Sequence, residues 1–389
     1  MPTASLRAAA PAEERLPDRK PHVCFVAPYA WPVLSADPSL KVVGGAEVQQ
    51  CILARLLAAH GYRVSMVSFD FGQPARVVHE GIEVIKAFAE RDGIPVLRFL
   101  HPRLTGMWRA LREADADIYY QRSAAVWTEV VAQFCRRHGR RSIYAGASDR
   151  DFQPSREQIR FARDRWLFRR GLAHVDRVVV QNRFQLAACR RNHGRDAVLV
   201  PSCYLLPEGA RRASPANETV LWVGSLHPHK RPGWLLDIAE RLPHRRFVLV
   251  GGPSLGGEVV QPGLYEAVRR RAEALPNVEF TGFLPLAEVE RRFDSARVLV
   301  STSLSEGMPN VFLQAWARGV PTLATIDVGA PANTVFDDVD EGAERIERLL
   351  VDEALWRRAS ADSLEFFRRN HSAEEVLARY ARLFAELAP

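Results

Sequence analysis

The segment 305–321 carries the most specific chemical pattern of the chain. Glu306 stands directly before Gly307, and Pro309 marks the first turn of a predicted helix. The backbone amides of such a turn have no partner within the helix, so they can bind sugar hydroxyls or phosphate. Gln314 lies about one and a half turns further along, where its side-chain amide could hold a ribose. The sequence therefore predicts a ligand-binding loop at the start of this helix.

A second pattern places two adjacent cations after the buried run 221–224. A short loop brings Lys230 and Arg231 to a position just before another predicted helix. Two positive charges there could neutralise a diphosphate leaving group. A solvated basic loop is the alternative interpretation of this segment.

A third pattern is the glycine pair Gly44 and Gly45, which precedes a helix and follows the first predicted strand. Paired glycines let backbone amides approach a ligand closely, and the start of a helix favours an anion. Asp70, after the second strand, could imitate the ribose-binding acid of a dinucleotide-binding fold. The third glycine of that fingerprint is missing, which argues against a dehydrogenase.

Short apolar runs that alternate with amphipathic segments must position these residues. Such unbroken runs are typical of strands covered on both faces, and their repetition in two halves predicts two doubly wound α/β domains. Ligands are then expected outside the carboxyl ends of the strands, in the cleft between the domains. The predicted strands are 22–27, 63–68, 117–120, 142–146, 177–181 and 197–200 in the first half, and 219–224, 246–251, 278–280, 297–301 and 321–325 in the second.

The predicted organisation has five parts. Residues 1–20 form a disordered tail, residues 21–206 the first domain and residues 207–218 a linker. Residues 219–371 form the second domain, and residues 372–389 a final helix that packs back on the first domain.

Composition limits the class of protein. A chain of 389 residues fits two domains, and Lys+Arg 53 against Asp+Glu 46 favours phosphate-bearing partners without indicating nucleic acid. The five cysteines contain no C-x-x-C motif and are interpreted as reduced thiols in the cytoplasm. No apolar run is long enough to span a membrane, and the first residues lack the apolar core of a signal peptide.

The order of these motifs resembles glycosyltransferase family 4, and the resemblance runs from Val23 to the C-terminus. It implies two facing Rossmann-like domains (the GT-B fold). It also implies a retaining transfer from a nucleotide sugar, with no catalytic metal and no cofactor. The matching residues are Gly-Gly-Ala-Glu at 44–47, Val-Gly at 223–224 with Lys-Arg-Pro at 230–232, Glu-Gly-x-Pro-Asn at 306–310, Gln-Ala at 314–315 and Gly-Val-Pro at 319–321.

The resemblance assigns roles to individual residues. Gly44 and Gly45 would face the diphosphate, Lys230 would bind it, and Glu306 would contact the donor sugar. The turn at 281–283 would flank the nucleotide base through Gly282 and Phe283. The other implied donor-binding residues are Ser225, Arg231, Gly307, Met308, Asn310 and Gln314.

The chain departs from the family pattern in three places. Ser225 stands where the family usually has an arginine, and Arg231 is expected to substitute for that cation. Gln314 replaces a second glutamate, so it can bind a ribose hydroxyl but carries no charge. The connection 326–340, about fifteen residues, is shorter than usual. Because of these departures, a non-catalytic protein that binds sugar nucleotides is the alternative interpretation.

The resemblance also implies a polar group of the first domain near the anomeric carbon. Asp149 is the candidate catalytic group beside Lys230 and Glu306, with Asp151 and Arg122 on the acceptor side. Loop capping and a solvated salt bridge are the alternative interpretations. His227 and His229, which flank a proline, are expected to be exposed loop residues.

Several alternatives and partners stay open. A sugar epimerase or phosphorylase of the same architecture is a second enzyme class, and a nucleic-acid binder is disfavoured because the basic residues are dispersed. The acceptor would be a glycan, a lipid-linked molecule or a small molecule. The basic and aromatic segment 160–170 predicts an amphipathic core helix, or else docking on an anionic membrane surface at the inner face.

Overall fold

The computed structural model describes residues 19–37, 39–40, 44–94, 99–253 and 263–387. Most of the predicted tail, residues 1–18, lies outside this part of the chain, as does Val43 of the glycine segment. Among the described residues, no helix combines the length and the apolar character needed to cross a membrane.

The first half folds around a mainly parallel sheet of eight strands in the order β3-β4-β2-β1-β5-β6-β7-β8. Its central strand β1 is buried at every residue, as the unbroken apolar run predicts. Only the edge pair β3 and β4 is antiparallel among the strand pairs described for this sheet. The strands are β1 Val23–Val26, β2 Val64–Ser68, β3 Arg76–His79, β4 Ile82–Lys86, β5 Ile118–Arg122, β6 Arg141–Ala145, β7 Arg177–Val180 and β8 Val198–Leu199.

Helices cover both faces of this sheet because their apolar stripes bury against it. They are α1 Ala30–Ser35, α2 Gly45–Ala59, α3 Thr105–Ala114, α4 Trp127–His138, α5 Ala162–His174 and α6 Arg183–His193. A helical segment at Phe99–Leu104 and a short 3-10 helix at Asp149–Phe152 lie in the connections.

The second half folds around a parallel sheet in the order β11-β10-β9-β12-β13-β14. Its strands are β9 Thr219–Val223, β10 Arg246–Val250, β11 Val278–Gly282, β12 Ala296–Ser301, β13 Thr322–Ala324 and β14 Asn333–Val335. Its helices are α7 Pro232–Arg241, α8 Leu264–Glu273, α9 Leu286–Asp294, α10 Asn310–Arg318, α11 Val339–Val351 and α12 Glu353–Asn370, with a 3-10 helix at Pro228–Lys230. The predicted pair of doubly wound α/β domains is therefore confirmed.

The last helix, α13 Ala373–Leu387, returns to the first sheet. Its Tyr380 hydroxyl lies 3.1 Å from the hydroxyl of Tyr120 on β5, and both groups are buried. The Phe384 ring packs edge-on against Tyr62, with centroids 5.9 Å apart. The chain thus crosses between the two halves twice, and the second crossing anchors the C-terminal helix on the first.

Candidate functional site

A cleft of about 590 Å³ lies where the carboxyl ends of the two sheets meet. The first wall of the cleft comes from the first domain, from turns that follow β1, β5, β6 and β7. The second wall comes from the second domain, from turns that follow β9 and β12. This is the position that the topology of doubly wound sheets predicts. Residues of the sequence-derived site that line it are Gly44, Gly45, Arg122, Ser225, Lys230, Glu306, Gly307, Met308 and Asn310.

Lys230 and Glu306 form an ion pair at the centre of the second wall. The Lys230 ammonium donates to Oε1 of Glu306, and the two side chains are 21% and 18% exposed. Thr302 holds the loop beneath them by donating from Oγ1 to the Lys230 carbonyl, at 2.7 Å. Partial burial strengthens such a pair relative to one at the surface. The structure thus brings together the two residues to which the resemblance assigned the diphosphate and the sugar.

His229 corrects an expectation, because it is half-buried in the cleft wall rather than exposed. Its Nε2 lies 3.9 Å from Glu306 Oε1. Desolvation lowers the pKa of His229 to about 4, and although Glu306 opposes this shift, Lys230 adds to it. The imidazole is therefore neutral near pH 7 and adds no positive charge to the site.

The glycine turn contacts the start of helix α10 across the cleft. The Asn310 amide donates to the Gly45 carbonyl at 3.2 Å and accepts from Gln49 Nε2 at 3.0 Å. The carboxylate of Glu47 folds back over Gly44, where a Cβ would come within 2.1 Å of Glu47 Oε2. A side chain at position 44 would therefore require the Glu47 carboxylate to move away from the glycine turn.

A second contact between the domains joins Asp149 to the loop of Glu306. Asn182 Nδ2 donates both to Asp149 Oδ1, at 3.0 Å, and to the Gly307 carbonyl, at 3.2 Å. A Cβ on Gly307 would lie 2.9 Å from the Ala147 carbonyl oxygen, so glycine permits this close approach. The contact depends on Asn182, which sequence reasoning missed because only the fold brings it to Gly307.

Asp149 itself lies behind the cleft wall. Its Oδ1 also accepts from Gln185 Nε2, at 2.9 Å. Burial raises the pKa of Asp149, while the hydrogen bonds from Asn182 and Gln185 lower it and Glu306 raises it. A carboxyl group in this setting is held in place by amide donors next to the loop that carries Glu306.

Asp151 does not face the acceptor side as predicted. It is buried, and its Oδ2 accepts from the backbone amides of Ala147 and Ser148, at 2.8 and 3.2 Å, and from the Tyr144 hydroxyl, at 3.0 Å. The alternative interpretation, loop capping, describes its contacts. Arg122 does line the cleft, and its Nη2 donates to Ser202 Oγ at 3.1 Å.

Arg231 and Gln314 also point elsewhere than expected. Arg231 donates from Nε to the Thr302 carbonyl at 2.7 Å, and its guanidinium stacks 3.7 Å from the Trp234 ring centre. It therefore does not substitute for a cation at Ser225. Gln314 is 7% exposed and donates from Nε2 to Glu290 Oε1 at 2.8 Å.

Gly282 and Phe283 lie outside the lining of this cleft. Gly282 ends β11, and the Phe283 side chain is 46% exposed. A Cβ on Gly252 would come within 2.8 Å of the Phe283 Cβ, so the turn after β11 packs closely on the turn after β10. Their assignment to a nucleotide base stays a prediction.

Gln314→Glu is expected to destabilise the chain by about 1–3 kcal/mol, because a buried amide donor becomes a carboxylate facing Glu290. Arg318, which donates to Glu290 Oε2 at 2.8 Å, also pairs with Asp294 and cannot neutralise a second acid fully. Urea unfolding measures the change. The control Gln153→Glu makes the same substitution beside Arg156, in a partly exposed place, and should be neutral. Equal stability of both variants would contradict the assignment of Gln314 to this buried contact.

Comparison with known proteins connects this geometry to a family. Residues 44–202 match the family model "Glycosyl transferase 4-like domain", and residues 217–352 match "Glycosyl transferases group 1". The two matches cover the two walls of the cleft in chain order.

Curated relatives and solved structures agree with these matches. The chain is 31% identical over 183 residues to a D-inositol 3-phosphate glycosyltransferase of Mycolicibacterium smegmatis, covering 44% of this chain and 41% of the relative. The corresponding protein of Mycobacterium marinum is 29% identical over 189 residues, covering 44% and 40%. The match thus spans about two fifths of the length of these relatives.

The structural likeness extends over nearly the whole chain. A sucrose-phosphate synthase from Thermosynechococcus elongatus superposes with a TM-score of 0.74 at 19% identity, covering 95% of this chain and 99% of that one. Anabaena Alr3699/HepE in complex with UDP-glucose gives a TM-score of 0.68 at 15% identity, covering 94% and 100%. At these identities the likeness shows the fold.

Proposed function

This chain belongs to glycosyltransferase family 4, and we propose that it transfers a sugar from a nucleotide-sugar donor to an acceptor hydroxyl with retention of the anomeric configuration. The observation that carries the proposal is the Lys230–Glu306 pair in the cleft. It offers a cation for a diphosphate and a carboxylate for sugar hydroxyls side by side. The nearby start of helix α10 adds backbone amides that favour an anion.

The chemistry proposed for this site is a single displacement on one face of the sugar. The acceptor oxygen bonds to the anomeric carbon as the bond from that carbon to the diphosphate oxygen breaks, and the electron pair of that bond stays on the diphosphate. The acceptor proton moves to the same diphosphate oxygen, so the products are a glycoside and a nucleoside diphosphate. Lys230 stabilises the charge that develops on the leaving group, and Glu306 orients the sugar.

Asp149 has a supporting place in this proposal. Its carboxylate accepts from Asn182, and the same Asn182 amide donates to the Gly307 carbonyl of the other wall, so Asp149 helps to hold the contact between the two walls. We assign it to positioning, because it does not line the cleft itself.

The donor and the acceptor are proposed from the relatives. The Anabaena structure contains UDP-glucose, so UDP-sugars are the first donors to test. Two kinds of relative carry phosphorylated compounds in their names, D-inositol 3-phosphate and sucrose phosphate. A sugar or polyol phosphate is therefore the first small acceptor to test, beside a glycan or a lipid-linked acceptor.

Peripheral contact with an anionic membrane is the proposal for a lipid-linked acceptor. Phe161 and Trp166 are each 57% exposed at the start of helix α5. Arg160 stacks 5.4 Å from the Phe161 ring centre, and Arg170 lies 5.3 Å from that of Trp166. Aromatic rings among arginines suit the interface of anionic lipids. Co-sedimentation with phosphatidylglycerol vesicles, compared with phosphatidylcholine vesicles, measures this contact.

Two measurements test the proposed function. A ligand that binds only the folded state raises the unfolding temperature, so a panel of nucleotide sugars should show stabilisation by the true donor. NMR of the product formed with that donor should show the anomeric configuration of the donor. Failure of every nucleotide sugar to bind would refute the proposal.

Activity is expected to persist in excess EDTA. In the part of the chain that the structure describes, no group of three or more His, Cys, Asp or Glu side chains could hold a metal ion. Lys230 and backbone amides can supply the positive potential that a metal would otherwise supply. Turnover measured before and after chelation checks this, and a loss that Mg²⁺ or Mn²⁺ restores would contradict it.

A further inference from the structure

We propose that Arg150, from the first domain, supplies the second positive charge for the diphosphate of the donor, across the cleft from Lys230. This inference rests on the proposed function. According to this inference, the first domain contacts the leaving group directly.

The charge balance of the second wall requires a cation from elsewhere. A nucleoside diphosphate sugar carries negative charge on both phosphates. On this wall Lys230 is paired with Glu306, so their charges cancel, and the neutral imidazole of His229 adds none. Arg231 is turned onto Trp234. The side chains of this wall that line the cleft therefore carry no net positive charge among the described residues, and beyond the paired Lys230 only backbone amides are left to bind the diphosphate.

Arg150 is the available cation on the opposite wall. It lines the cleft and is partly exposed, and its guanidinium makes no hydrogen bond or ion pair with any residue of the described ranges. Its charge also reaches the second wall, because it contributes to lowering the pKa of His229. Arg122 is a poorer candidate, since it is 8% exposed and already donates to Ser202.

The turn that carries Arg150 is fixed against the loop of Glu306. Asp151 caps the turn from within by accepting from two backbone amides. Asn182 ties Asp149 on the same turn to the Gly307 carbonyl, at 3.2 Å. The backbone of Arg150 is thus held on a short, capped segment that touches the donor-side loop, so only its side chain has to move to bring the charge to the diphosphate.

Arg150 can neutralise the charge of the diphosphate only when the first domain is close to the second. Negative charge on the diphosphate oxygen increases as its bond to the anomeric carbon breaks. A cation of the first domain stabilises that charge only when both walls are in place. Arg150 should therefore contribute more to turnover than to ground-state binding.

Arg150→Gln tests the proposal, with Arg156→Gln as the matched control. The control removes an arginine six positions further along, which is exposed and does not line the cleft. Calorimetry with UDP, and with inorganic pyrophosphate as a probe independent of the base, should show about tenfold weaker binding for Arg150→Gln. We expect its kcat to fall about 30-fold, whereas the control changes neither quantity. Arg150→Lys should recover part of both losses because it restores the charge.

A second variant separates charge from folding. Ser225 lies in the same cleft on the second wall, so Ser225→Arg added to Arg150→Gln returns a cation from the other side. Recovery of UDP and pyrophosphate affinity supports the charge role. The proposal is overturned if Ser225→Arg does not restore the affinity lost in Arg150→Gln. It is also overturned if Arg150→Gln keeps its UDP affinity and its kcat within twofold of the unmodified chain. If the unmodified chain itself binds no nucleotide sugar, the proposed function fails instead.

Discussion

Lys230→Ala is expected to lower kcat/KM about 30- to 1,000-fold, which corresponds to a loss of about 2–4 kcal/mol in transition-state stabilisation. The substitution removes the cation assigned to the leaving group. It also leaves the Glu306 carboxylate, now without its partner, beside an anionic donor. Both effects act more strongly on the transition state, where the diphosphate gains negative charge. Steady-state kinetics with varied donor, combined with UDP calorimetry, separates the loss in binding from the loss in turnover.

Lys86→Ala is the matched control for Lys230→Ala. Lys86 is 27% exposed, similar to Lys230, and pairs with Asp70 at 3.0 Å at the end of β4 in the first sheet. Its removal deletes a lysine and a salt bridge away from the cleft, so activity should stay within about twofold. Equal kcat/KM values for Lys230→Ala and Lys86→Ala would contradict the assignment of Lys230 to the diphosphate.

The repeat of strands and helices could be predicted because it depends on local patterns. Strands such as Val23–Val26 and Thr219–Val223 are apolar runs buried between helices, and their type follows from burial on both faces. The edge strand Arg76–His79 and its antiparallel neighbour Ile82–Lys86 were missed. Their signal was a two-residue turn, Glu80 and Gly81, in which both residues adopt positive φ angles of 52° and 78°.

The site was predictable at the level of its motifs but not of its side-chain orientations. Lys230 and Glu306 meet because two turns follow adjacent strands β9 and β12 of one sheet. The partners of Gln314 and Arg231 are Glu290 and Thr302, which lie 24 and 71 residues away in the chain. No local pattern encodes such contacts, since they depend on how helices pack after the fold has formed.

Glu306, the carboxylate assigned to the donor sugar, is the partner of Lys230 in the cleft. Glu306→Ala is expected to cut turnover by about 10- to 100-fold, because hydrogen bonds to a charged group contribute about 1.5–3 kcal/mol. UDP should bind the variant at least as tightly as it binds the unmodified chain. The reason is that UDP has no sugar to lose a contact with Glu306, while Lys230 becomes free of its pairing. The test is calorimetry with UDP and UDP-glucose beside turnover.

The comparison of the two ligands decides what Glu306 does. Glu347→Ala is the control, since this carboxylate of the same domain accepts from Arg245 at 2.7 Å and does not line the cleft. It should change neither affinity nor turnover. If Glu306→Ala weakens UDP as much as UDP-glucose, the carboxylate acts on the nucleotide or on the shape of the loop. A lower affinity of Glu306→Ala for UDP-glucose, with UDP affinity equal or higher, places Glu306 at the sugar, because the loss of a negative charge beside the diphosphate would by itself tighten both ligands.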